Sequence, residues 1–360
     1  QVAATMLARF ERQLCRRVCA AGLTTRWGDS RLCSTSTVRH VSPEQYGANS
    51  LDLKELDVGL FSAHPSTLLV PPGQKGRVFG GQVLGQALHA ATTTVPEQRI
   101  LHSVHAYFLK AGRRDRPIIY HVDSPSTGRS FATRSVQARQ AGQTIFQCQA
   151  SFQAEERPGA LSHTIQMPEV ARPEELPTVE ELLADCYSSP EAQGDDPKAE
   201  EARNVLAAIA EFWQQTPIEI KVASGDLDYL NEDPEPLPAR RQLWMKTRSP
   251  LATDVNLNHC AAAFFSDWSL LATALLPHSI AVPGLSGFKK VKILASLDHS
   301  MWFHAPFHAD DWVLYDIESP RAIGGRFLSF GKMFTRDGIL CASTAQEGLV
   351  RKYNKDATLP

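Results

Sequence analysis

The 360-residue sequence predicts an α+β protein made of two copies of one unit, each a long antiparallel sheet wrapped around a buried helix. Three observations carry that expectation. A strand pattern occurs twice, a strongly apolar helix precedes each occurrence, and an acid- and proline-rich stretch separates them.

The repeat comes first because self-similarity decides architecture before any local motif does. Ile119-Tyr-His-Val-Asp-Ser-Pro125 resembles Leu314-Tyr-Asp-Ile-Glu-Ser-Pro320. Gly, Arg and Phe follow each, as Gly128-Arg129-Ser130-Phe131 and Gly325-Arg326-Phe327. Each copy then alternates like a strand, turns at Ala141-Gly142 or Asp337-Gly338, and returns. The closing strands FQCQASFQ (from Phe146) and CASTAQEG (from Cys341) align with Ala150 opposite Ala345. Upstream of each copy an aromatic-rich strand opens on His-Ser, at His102-Ser103 and at His299-Ser300.

In copy one the helix is expected over residues 82–93, where Val83, Leu84, Ala87, Leu88 and Ala91 form an apolar stripe. Its small residues, Gly85, Ala87, Ala90 and Ala91, allow a neighbour to pack closely. In copy two the helix is expected over residues 259–276 and is apolar almost all round, so it must be buried on every side. Residues 155–238 read as a long connection with a helical piece at about 199–215, part of which should pack across the two copies.

Composition removes several functions. The chain is 43% hydrophobic and 21% charged, with 37 Lys+Arg against 39 Asp+Glu, so whole-chain charge does not point to nucleic acid. No uncharged apolar run approaches the length of a transmembrane helix. Seven cysteines without a CxxC pair fit neither a disulfide framework nor a zinc site, and no metal is expected. The charge is uneven, however. Residues 1–43 carry seven arginines, no lysine and two acids, and from Met6, the first methionine, apolar residues recur at helical spacing. The five residues before Met6 read as leader. A basic amphipathic helix followed by RLCSTSTVRH is the pattern of a mitochondrial transit peptide, and a mitochondrial matrix location is expected. Removing residues 1–33 would take away six basic and two acidic residues and leave a net charge of −6.

One residue stands out for chemistry. Asp267 lies in AAAFFSDWSLLATALL, where a carboxylate must be paired, protonated or turned to a polar cavity. Copy one has no acid in its helix, so the fold does not require Asp267. Ser296 and Gln346 fall where the repeat lets them approach that helix. Together the three could position a water, with Asp267 as general base. Gly80-Gly81, at the start of the first helix, could present backbone N–H groups to a carbonyl oxygen or could equally make a tight turn. No G-x-S-x-G elbow, dinucleotide fingerprint or P-loop is present.

These residues also carry a resemblance. FGGQVLGQAL (from Phe79), PIIYHVDSPSTGRSF (from Pro117), FFSDWSLLATALLPH (from Phe264), SLDHSMWFHAPF (from Ser296) and STAQEG (from Ser343) are similar to blocks of the type II acyl-CoA thioesterases, the TesB and peroxisomal acyl-CoA thioesterase 8 family. The resemblance spans residues 51–351 and is weakest over 155–240. After the targeting-like segment 1–43, it implies a double hotdog fold: a first hotdog over 51–155, a connection over 156–239 and a second hotdog over 240–352 that carries the chemistry. It also implies hydrolysis of fatty acyl-CoA to free acid and CoA, and catalytic roles for Asp267, Ser296 and Gln346. Cofactors are none, since CoA arrives with the substrate, and the expected partners are the fatty acyl-CoA and further copies in a homo-oligomer. Ser296 stands where bacterial members carry Thr, which preserves a donor and lone pairs. Peroxisomal relatives end in a Ser-Lys-Leu-type signal, unlike Ala357-Thr-Leu-Pro360, so the peroxisome is the second expectation for location. Two rivals share the scaffold. One is a catalytically silent acyl-CoA-binding protein; the other is a hydroxyacyl dehydratase, disfavoured because His259 lies two helical turns from Asp267. Arg129, Arg134, Lys289 and Lys290 are candidates for CoA phosphates by charge alone.

Overall fold

The computed structural model describes residues 50–353 apart from 97, 157–160, 225–229 and 283. The basic segment 1–43, with Cys15, Cys19 and Cys33, lies outside them. The first copy contributes β1 (Lys54–Asp57), β2 (Leu60–Ala63), α1 (Gly80–Thr92), β3 (Arg99–Phe108), β4 (Ile118–Thr127), β5 (Phe131–Gln140) and β6 (Gln143–Ala154). Next come α2 (Val179–Tyr187), α3 (Pro190–Gln193), α4 (Pro197–Gln215) and β7 (Ile218–Ser224). The second copy follows: β8 (Arg240–Thr247), α5 (Val255–Ser266), α6 (Leu270–Thr273), α7 (Leu285–Lys290), β9 (Val291–Ser296), β10 (Asp298–Phe303), β11 (Val313–Ile323), β12 (Arg326–Thr335) and β13 (Leu340–Lys352).

All these strands join in one antiparallel sheet, ordered β1-β2-β4-β5-β6-β3-β10-β13-β12-β11-β8-β7, with β9 also paired to β13. The seam between copies is the β3–β10 pair, where His105 faces Ser300. Each half of the sheet curves around its own helix, as a double hotdog does, and the two helices also pack on each other. Gly81 and Gly85 of α1 make that approach close: a Cβ on Gly81 would collide with the Phe264 carbonyl, and one on Gly85 would lie 3.0 Å from that of Cys260. The apolar stretch Val255–His278 is mostly buried inside the protein, as expected for a core segment.

The repeated Ser-Pro pairs have a structural meaning. Between Asp123↔Ser135 and Ser126↔Thr133, Ser124 and Pro125 together oppose Arg134. Between Glu318↔Phe330 and Arg321↔Leu328, Ser319 and Pro320 likewise oppose Ser329. Both copies therefore carry the same bulge, where proline's missing N–H costs no ladder bond.

These bulges correct the alignment of the closing strands. Arg134 and Ser329 occupy equivalent places, and their partners on the next strand are Ala150 and Gln346. Gln346, not Ala345, is the counterpart of Ala150. A one-residue slip in a strand exchanges its faces, and Gln346 is fully buried whereas Ala345 is turned off the core. By the same count Val104 of β3 corresponds to His299 of β10. Copy one is thus apolar at both positions where copy two is polar.

The second helix also departs from expectation. It starts at Val255, capped by the Asp254 carboxylate on the Leu257 N–H, and ends at Ser266 instead of continuing to 276. Asp267 is its C-cap, and Ser269 two residues on takes φ 66°, which turns the chain before α6 begins. A non-glycine residue in the left-handed region is uncommon and invisible to a reading of periodicity. In the connection, α4 begins at Pro197 and lays Phe212 parallel to Trp268, with ring centroids 5.5 Å apart. The connection therefore packs on the second copy at Trp268. The body cysteines Cys148, Cys186, Cys260 and Cys341 are free thiols, three of them buried and Cys186 half-buried. Burial pushes Cys148 and Cys341 up to about 12, which makes them poor nucleophiles.

Candidate active site

Four elements meet at Asp267. The carboxylate leaves the C-terminus of α5, the negative end of a helix dipole, where it is disfavoured. The opposite end of α1 offsets this, because the Gly81 N–H in the first turn of the other copy's helix favours the ionised carboxylate. Gly80 lies so near that a Cβ on it would stand 2.8 Å from Asp267 Oδ2.

Ser296 and Gln346 complete the cluster. Ser296 ends β9, and the strand is interrupted at Leu297 before β10 resumes pairing with β13. Its Oγ donates to Asp267 Oδ1 at 3.0 Å. Gln346, from β13, donates through Nε2 to the same oxygen at 2.9 Å and to Ser296 Oγ at 3.0 Å. The three residues that sequence reasoning singled out are brought within hydrogen-bond distance of one another. Burial raises the Asp267 pKa above the ordinary aspartate range, while neighbouring His299, the Gln346 and Ser296 hydrogen bonds and the Gly81 N–H pull the other way.

Sequence reasoning missed His299, which read only as the start of a strand. It is fully buried behind Gln346, with Nδ1 on Gln346 Oε1 and Nε2 2.9 Å from Ser266 Oγ. An ionised Asp267 accepts only, so Gln346 must offer its amide N–H₂ there and turn its carbonyl to His299. An amide carbonyl also accepts only, so His299 holds its proton on Nδ1. Burial lowers the His299 pKa and keeps the ring neutral. The contrasting reading, a histidine paired directly with Asp267, does not apply to His259. That ring bonds the Leu101 carbonyl at 3.0 Å and stacks on Phe303 with centroids 4.3 Å apart.

The glycine pair divides. Gly80 borders the cavity that reaches Asp267, whereas the Gly81 N–H helps to hold down the pKa of the carboxylate. Gly81→Ala is expected to force α1 and α5 apart at the Phe264 carbonyl. The change should cost about 1–3 kcal/mol of stability, read as a lower denaturant midpoint, and turnover should fall with it.

The cavity has a volume of about 480 Å³, ordinary for a small-molecule site. Its walls are largely apolar, with Phe79, Val83, Phe108, Phe146, Phe212 and Trp268 around Asp267 and Ser296. Gln82 and Gln86 of α1, polar in the sequence, serve the fold instead. Both donate to the Ser50 carbonyl, and Gln86 Oε1 accepts from Tyr120. Of the candidates for CoA phosphates, Arg134 is buried and bonded to Thr94, Thr127 and the Ser126 and Thr133 carbonyls. Lys289 pairs with Glu201 and Glu232, and Lys290 with Asp233. Among the described residues no group of three or more His, Cys, Asp or Glu is placed to hold a metal ion.

Two helix-wrapping halves of one sheet, joined in tandem, define a double hotdog protein, and the carboxylate, hydroxyl and amide meet where the two helices touch. The family model for the acyl-CoA thioesterase matches residues 229–349, and that for the acyl-CoA thioesterase N-terminal domain matches residues 70–153. Mouse acyl-coenzyme A thioesterase 8 is 42% identical over 302 residues, covering 84% of this chain and 87% of that protein. The peroxisomal acyl-coenzyme A thioester hydrolase 1 of Saccharomyces cerevisiae is 29% identical over 318 residues, covering 78% and 87%. The crystal structure of the acyl-CoA thioesterase II TesB2 from Mycobacterium marinum superposes with a TM-score of 0.62 at 31% identity, covering 86% of this chain and 99% of that one. The chain belongs to the type II acyl-CoA thioesterase family.

Proposed function

We propose that the chain hydrolyses fatty acyl-CoA to free acid and CoA by direct attack of a water that Asp267 deprotonates and that Ser296 and Gln346 help to orient. Membership of the family makes the chain an acyl-CoA thioesterase, a hydrolase of acyl-CoA thioesters. The observation that carries the water route is the carboxylate itself, buried at an apolar cavity and held by two side-chain donors. In the attack, the water oxygen bonds the thioester carbon as its proton passes to Asp267. The carbon–sulfur bond of the tetrahedral intermediate then breaks, and Asp267 returns the proton to the departing thiolate. A base with a raised pKa suits both steps, since the same group must take and give the proton near neutral pH. Ser296 Oγ accepts from Gln346 and donates to Asp267, which places its hydroxyl beside the base, where it can orient the water.

Thiol release from a panel of short, medium and long acyl-CoAs, with rapid quenching and intact-mass analysis, tests this. The expected result is CoA release with no mass added to the protein during turnover. An acyl adduct on Ser296 would replace the direct route by a covalent one. Absence of thiol release with every substrate would favour the silent binding protein. The apolar walls support an alkyl chain as the acyl group. For the compartment we adopt the peroxisomal matrix: a relative carries that location in its name, while the mitochondrial expectation has only residues outside the described ones. Imaging of the full chain against markers of both organelles decides between them.

A further inference from the structure

We propose that a basic rim built from residues 71–78 and 109–117 binds the phosphates at the adenosine end of the CoA thioester. The inference rests on the thioesterase reading and extends it to the half of the substrate that does not react. These two segments contain Lys75, Arg77, Lys110, Arg113, Arg114 and Arg116 against one acid, Asp115. In a chain whose formal net charge is −2, that is a strong local excess of positive charge.

The rim is constructed, not merely populated. Arg77 and Arg113 bridge the two segments through their backbones, Val78 N donates to the Gly112 carbonyl at 2.9 Å, and Arg114 N donates to that of Gly76 at 3.1 Å. Buried Gln140 holds the arginine turn from below. It donates to the Arg113 and Arg116 carbonyls and accepts from the Arg113 N–H at 2.8 Å. Asp115 is taken up by Arg113 and Arg116. The side chains of Arg77 and Arg114 have no partner among the described residues.

Position ties the rim to the reaction. Arg77 and Lys110, both exposed, line the same cavity as buried Asp267 and half-buried Ser296. One continuous space therefore runs from cationic surface to candidate base. A thioester whose sulfur reaches Asp267 while its far end carries phosphates matches that polarity. Guanidinium groups suit phosphate because they bond it with two parallel donors.

The test compares an acyl-CoA, the same acyl group on dephospho-CoA, and the same acyl group on N-acetylcysteamine, which carries no phosphate. With the unaltered protein, kcat/KM for acyl-CoA should fall steeply with added salt, and that for the N-acetylcysteamine thioester should stay nearly flat. With Arg77→Glu plus Arg114→Glu, the preference for acyl-CoA over the N-acetylcysteamine thioester should drop about 10- to 100-fold, carried by KM. An equal loss on both thioesters, or equal salt dependence, would overturn the rim. A salt effect that vanishes with dephospho-CoA assigns it to the 3′-phosphate; one that persists assigns it to the pyrophosphate. Failure of the unaltered protein to hydrolyse any of the three would instead refute the thioesterase reading. Should the double variant not fold, the single variant Arg77→Gln, at an exposed position, replaces it in the same comparison.

Discussion

Asp267→Asn is expected to lower kcat by about 10²–10⁴-fold, the usual contribution of a positioned general base, while leaving the protein folded. Asparagine keeps the shape and the ability to accept from Ser296 and Gln346, but it cannot take a proton from water. The pH dependence supplies a second signature. The base must be ionised, so kcat/KM of the unaltered enzyme should rise with pH through the Asp267 pKa, which burial places above the ordinary aspartate range. That acid limb should disappear in the variant. Stability should move oppositely. The folded chain holds the Asp267 proton more tightly than the unfolded chain does, so stability declines as pH rises through the folded pKa. Asparagine is spared this loss. The variant should therefore melt at least as high as the unaltered protein at pH 7, with the difference shrinking on acidification. A variant with full turnover would remove Asp267 from the mechanism.

The second large effect is expected at His299, which acts through Gln346. Removing the Nδ1–H with His299→Leu frees the Gln346 amide to rotate or flip, and a misdirected amide no longer holds Asp267 and Ser296 together. Displacements of about 1 Å in such arrangements cost roughly 100-fold in rate. A fall of that order in kcat is expected, with KM for acyl-CoA within a few-fold. His299→Asn places an amide N–H₂ close to the position of Nδ1 and should recover at least tenfold of the loss. Equal damage from both substitutions, accompanied by a raised KM, would mean that His299 only fills space.

Much of this arrangement was legible in the residues. The repeat announced two copies because the Ser-Pro bulge recurs with the same neighbours, and proline can recur there only where no ladder bond is needed. Asp267 was conspicuous because a carboxylate among Phe264, Phe265 and Leu270 demands a partner. What could not be read was governed by single backbone angles and single-residue slips. Ser269 at φ 66° ends the helix where its apolar periodicity continues, so a residue expected inside a helix caps one. The turn between β12 and β13 is one residue longer than that between β5 and β6, which paired Ala150 with Ala345 and hid its correspondence to Gln346. His299 escaped because the match of His299-Ser300 to His102-Ser103 made it look like a shared feature. Its true counterpart is Val104, so it was in fact a difference between the copies. The basic rim was missed for another reason: residues 71–78 and 109–117 are far apart in sequence, and only the bridge of Arg77 to Arg113 makes them one surface.

The contact between the start of α1 and the end of α5 also bears on modularity. The carboxylate comes from one half of the chain, and a donor that steadies it comes from the other, 186 positions earlier at Gly81. Neither half is a self-sufficient cassette. A recombination event that exchanged one half for a distant homologue's would have to preserve the glycine pair and the broken helix together. The halves look alike in sequence, but the contact between their helices makes each depend on the other.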